Sequence, residues 1–204
     1  MSVGFIYPEE PKATKDLKMK VIKYLILIAI ICLSISAKSA YSQEEDRSFF
    51  SSKYCSVFYG NDVDLRKVNR RLNLGFSNFY NPRGHKESPG ISTADIIADK
   101  LDAIFNKAEE ILDMHPARIH VAINIYKTQK ELDQVYEEFF NEPNKAVSFY
   151  IYKTNTIYTV ESQLTENILA HEMAHCIIDC YFVMLPPRKI QEMLAVYVDV
   201  HLKD

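Results

Sequence analysis

Apolar positions along this chain follow two spacings, and the change from one to the other marks out its elements. In KYCSVFY, residues 53–59, apolar and polar side chains alternate, which predicts a strand. From Asn61 to Leu74, Val63, Leu65, Val68 and Leu72 stand among charges at helical spacing. Residues 77–92 hold two prolines and two glycines and read as a loop. Ser92 or Thr93 then caps a long helix running to about His115. Its stripe is Ile97, Leu101, Ile104, Phe105, Ala108, Ile111 and Leu112, and Pro116 marks its end.

The second half continues the alternation. RIHVAINIY, residues 118–126, places Ile119, Val121, Ile123 and Ile125 on one strand face. Thr128 and Glu131 form a capping-box pair that starts a helix to about Phe140. AVSFYIY (146–152) and TIYTV (156–160) predict a hairpin around Lys153–Asn155. Two helices follow, at about 163–182 and 187–202, separated by Pro186–Pro187. Residues 43–52 are polar and read as loose. The order strand, helix, helix, strand, helix, strand, strand, helix, helix predicts one α+β domain over residues 43–204.

The remaining segment, 1–42, has a different character. Residues 21–36, VIKYLILIAIICLSIS, are apolar, with Lys18, Lys20 and Lys23 in front or at the edge and small residues behind. That is the build of a secretory signal, cut after Ser39 or Ser42, and it places the domain outside the cytoplasm, in a periplasmic or extracellular space. The alternative is an uncleaved membrane anchor at 21–36; only then is the membrane a partner. Met19 is a better start than Met1, since MKVIKYLIL is how such signals begin.

Charge narrows the partners further. The whole chain carries −3; residues 43–204 hold 18 basic and 24 acidic side chains, hence −6. No basic patch suggests nucleic acid. An exported context permits a disulfide among Cys55, Cys176 and Cys180. Cys176 and Cys180 lie one helical turn apart, a poor geometry for bridging each other; a Cys55 bridge to either, or three buried thiols, stays open.

The candidate chemistry lies in the first of the last two helices. Residues 171–175 read HEMAH. Spacing by four puts His171 and His175 on one helical face, where both rings reach one ion at about 2.0–2.1 Å for zinc. Glu172 is rotated about 100° from His171 and is free to act as base on a metal-bound water. The flanks, ENILA and CIIDC, are apolar, and buried imidazoles need partners, which a metal supplies. Catalytic zinc takes three protein ligands and keeps one open position. Glu192 is the candidate third ligand, returned beside the histidines by the Pro-Pro turn, with Ala195 small enough to let the helices approach. The competing reading makes Glu192 a surface acid paired with Arg188 or Lys189.

HEMAH followed by a helix carrying QEMLAVYVD resembles the gluzincin metallopeptidases, in particular peptidase-MA-like domains. The matching residues are His171, Glu172, His175, Glu192, Ala195 and Tyr197. The resemblance implies a minimal zincin-like fold: a small mixed sheet, an active-site helix and a following glutamate helix. It implies bound Zn2+, a peptide or protein substrate, and a hairpin at 147–160 edging the cleft, able to bind peptide by strand addition. Val196 stands where thermolysin-like members have an acid, so Asp179 or Asp199 is the candidate to orient a ligand histidine. Tyr197, or a hairpin tyrosine among Tyr150, Tyr152 and Tyr158, is the candidate oxyanion donor.

The expectation is an exported zinc hydrolase cleaving peptide bonds. The alternative is a non-catalytic zincin-like binding or scaffold protein, favoured by the chain's ending at Asp204, where larger gluzincins add a helical domain. Oligomeric state has no signature in the sequence.

Overall fold

The structure, a computed structural model, describes residues 47–75 and 91–203. The signal segment, most of the 77–92 loop and His85 lie outside the described residues. The domain is a mixed α+β fold. Its elements are β1 (Arg47–Ser51), β2 (Cys55–Gly60), α1 (Leu65–Arg71), α2 (Thr93–Leu112), β3 (Val121–Tyr126), α3 (Gln129–Phe140), β4 (Ser148–Ile151), β5 (Thr156–Val160), α4 (Glu166–Tyr181) and α5 (Arg188–His201).

The five strands run in the order β1-β2-β3-β5-β4. β2, β3 and β5 are parallel, while β1 and β4 join antiparallel and form the edges. Val57 pairs with Ile123 and Ile123 with Ile157, giving a buried apolar row across the parallel strands. On that face lies the main core, closed by α2, α4 and α5. The other face carries a smaller cluster, in which α3 covers Phe149, Ile151, Tyr158 and Val160.

Local chemistry sets the helix ends. Ser92 and Asp95 form a reciprocal capping box on α2, and Thr128 and Glu131 form another on α3. Both helices end on a left-handed residue, Asp113 (φ 51°) and Asn141 (φ 53°), types that tolerate that conformation. α1 is shorter than the expected 61–74, because Asp64 accepts from Arg66 N and starts the helix there.

One expectation fails: residues 43–52 are not wholly loose. Arg47–Ser51 forms β1, its Phe50 tilted against Tyr59 and its Phe49 stacked on Phe58. Two adjacent phenylalanines give too short a run to show a period of two, so pairing with β2, not pattern, makes this strand.

α4 is the central helix, with Leu169, Ala170, Met173, Ala174 and Ile177 fully buried. Each large side chain among them stabilises the fold by about 1.5–3 kcal/mol. α5 returns against it through buried Ala195 and Val198. Asn167 Nδ2 ties the pair, donating to Asp199 O (2.8 Å) and Asp199 Oδ1 (2.7 Å). Glu166, buried at the start of α4, accepts from Asn73 N and pairs with Lys203 Nζ at 3.1 Å.

Candidate metal centre

The α4–α5 return decides where three donor side chains meet. His171 and His175 stand one above the other on α4, ring centroids 5.0 Å apart. Glu192, one turn into α5, reaches across to both: its Oε2 is 3.8 Å from His171 Nε2 and 3.6 Å from His175 Nε2. One donor atom from each lies within 4.8 Å of the others, and among the described residues this is the one such group. Glu192 also meets Arg188, Nε to Oε1 at 3.5 Å. The two readings of Glu192 are therefore compatible: one oxygen serves the cluster and the other a surface cation.

The donor set fits a divalent ion. Four tetrahedral ligands at about 2.0–2.1 Å lie roughly 3.3–3.5 Å apart, so the two nitrogen–oxygen distances need only a small contraction. Two imidazoles and a carboxylate suit zinc and several other first-row metals. Burial, reinforced by His171 alongside, pulls His175 down to about 4 against the attraction of Glu192. It is thus neutral near pH 7, the form whose lone pair ligates.

Glu172 points to the hairpin side. Its carboxylate faces Ser148 and the Tyr150 N–H of β4, and it is 7% exposed. Burial pushes its carboxyl up to about 8, Glu192 adds to the rise, and Ser148 and the Tyr150 N–H only partly offset it. β4 is an edge strand of the sheet.

The outer candidates scatter. Asp179 accepts from Tyr150 Oη at 3.1 Å, and Tyr150 Oη also donates toward Asn155 Oδ1 at 2.9 Å. Asp199 is engaged by Asn167 and joins the helices. Tyr197, half exposed, lies over His201 at 4.1 Å between ring centroids. Five residues after Glu192, it is about 140° around the helix from it. Tyr158 stacks on Phe149 on the α3 side of the sheet, and Tyr152 is 58% exposed. Cys55 and Cys176 are buried, Cys180 is exposed, and all three are free thiols.

Sequence reasoning missed Ser148 and Asn155. Ser148 is the small polar residue in an otherwise apolar strand, which is the signal that a polar group faces it. Asn155 takes φ 48° in the hairpin turn and accepts from Cys176 Sγ at 3.1 Å.

Comparison with known protein families, with curated proteins and with solved structures finds no match. The gluzincin resemblance accordingly rests on the motif residues themselves.

Proposed function

We propose that this chain is an exported zinc-dependent hydrolase of gluzincin type, cleaving peptide bonds. The observation that carries the reading is the convergence of the Glu192 carboxylate on both imidazoles, made by a separate helix after the Pro-Pro turn. His171, His175 and Glu192 would hold the ion, leaving one position open.

When bound, zinc supplies a Lewis acid that lowers the pKa of a coordinated water and polarises a carbonyl. Glu172, beside the donor set, would be the residue to accept a proton from the attacking nucleophile and to return it to the leaving amine. Its burial raises its proton affinity. The Tyr150 N–H of β4 faces the carboxylate. The outer edge of β4, beside Glu172, is the place where a peptide backbone would lie against a strand.

Metal analysis of the purified chain beside Glu192→Ala tests the ligand set. The parent is expected to hold one zinc per chain and the variant to lose it. Equal zinc in both would remove Glu192 from the site and end the proposal. Glu172→Gln is expected to keep zinc while losing peptide hydrolysis; undiminished hydrolysis would reject the general-base role.

A further inference from the structure

A cleft of about 330 Å³ lies where β2 and β3 begin, beside the end of α2. None of its lining residues belongs to the candidate metal centre. Glu109, in the last turn of α2, lines it and is 7% exposed. Among the described residues no group hydrogen-bonds or ion-pairs with its carboxylate. A buried carboxylate without a partner is costly, and the open space beside it is where a partner would enter.

The rest of the lining narrows what that partner is. Lys53, His115 and Arg118 border the same cleft and are exposed. Burial raises the Glu109 carboxyl, and His115 and Lys53 act against that rise without forming an ion pair with it. The corner that carries Lys53 is held in place. Asp102 accepts from Ser52 Oγ (2.6 Å), Lys53 N (3.0 Å) and Tyr54 N (3.1 Å). The Tyr54 ring stacks on Phe105 at 4.6 Å, and its hydroxyl donates to Asn106 Oδ1 at 2.7 Å. Lys53 Nζ donates to that hydroxyl at 2.6 Å, which leaves ammonium hydrogens for a ligand. A simple anion would suit the rim but leave Glu109 unpaired. A simple amine would suit Glu109 but meet Lys53 and Arg118. A small molecule with an ammonium and a carboxylate on neighbouring atoms satisfies both.

We propose that this cleft binds a free α-amino acid with an apolar side chain. Its ammonium meets Glu109, its carboxylate meets Lys53 and Arg118, and its side chain lies on Tyr54, Pro116 and Ile119. The cleft is at the small end of ligand sites, which span about 300–1,000 Å³, and suits one such molecule. Binding here does not depend on metal or on hydrolysis.

L-leucine is the probe, titrated onto the purified full chain by ligand-observed NMR. Leucinamide lacks the carboxylate and N-acetyl-leucine lacks the ammonium. Each is expected to bind at least about tenfold more weakly than leucine, the loss of one charge-assisted contact. Glu109→Gln and Arg118→Ala are each expected to weaken leucine binding to the same degree. Arg118 is exposed, so its variant tests the rim without disturbing the core. Glu192→Ala is expected to bind leucine as the parent does, which separates the cleft from the candidate metal centre. Absent leucine binding, equal binding of the three compounds, or unchanged binding in either cleft variant would overturn the proposal. So would weakened binding in Glu192→Ala, which would place the leucine at the triad.

Discussion

At the scale of single residues, environment separates chemically identical groups. Cys176 and Cys180 are one turn apart, yet Cys176 is buried with its thiol donating to Asn155 Oδ1 while Cys180 is exposed. Cys55 is pushed well above the usual thiol range by burial, with Asp102 adding to the rise. In a Cys32→Ser background at pH 8, a thiol reagent is expected to modify Cys180 rapidly. Cys55 and Cys176 should react only after denaturation. Mass mapping of the labelled peptides checks this, and early modification of Cys55 would show that its burial is not maintained. The same contrast sets what the sequence could reveal of the site. His171, Glu172 and His175 were legible because one helix fixes their spacing. Glu192 was legible only through the Pro-Pro turn. Asp179 and Asp199 are engaged by Tyr150 and Asn167 through tertiary packing that spacing along one helix does not encode, whereas Tyr197 meets His201 four residues on in its own helix.

At the scale of elements, the site is a property of how closely α4 and α5 approach. Ala195 is fully buried in that contact. Ala195→Leu inserts three heavy atoms there and is expected to cost about 1–3 kcal/mol. Because Glu192 is on the same helix, the change should also weaken zinc retention. Thr128→Ala removes the side-chain half of the α3 capping box, remote from the triad. It is expected to cost about 1 kcal/mol, with zinc retention unchanged. Urea midpoints and chelator competition on the two variants separate these effects. Equal zinc affinity in both would mean that the helix spacing does not set the site. The Thr128–Glu131 capping box was legible because its bonds are local, between residues three apart. β1 was not, because its support comes from β2, several residues farther along the chain.

At the scale of the whole molecule, one buried acid links parts distant in sequence. Glu161, at the end of β5, accepts from Asp64 N at the start of α1 (2.8 Å) and pairs with Lys127 Nζ before α3 (2.8 Å). Lys67 stands 3.9 Å away. Burial alone would raise this carboxyl, but the Lys127 hydrogen bond, the Asp64 N–H and the two lysine charges outweigh it and hold it below the usual range. A carboxyl with a folded pKa below its unfolded value of about 4.3 contributes stability above that value. The contribution disappears as pH falls through the folded pKa, when both states are protonated. Glu161→Gln removes the charge but keeps the shape. Its urea midpoint is expected to lie below the parent's at pH 7, with the gap narrowing steadily below pH 4. A gap that stays constant down to pH 3 would mean that the carboxylate's charge contributes nothing, and that hydrogen bonding alone joins α1, β5 and the start of α3.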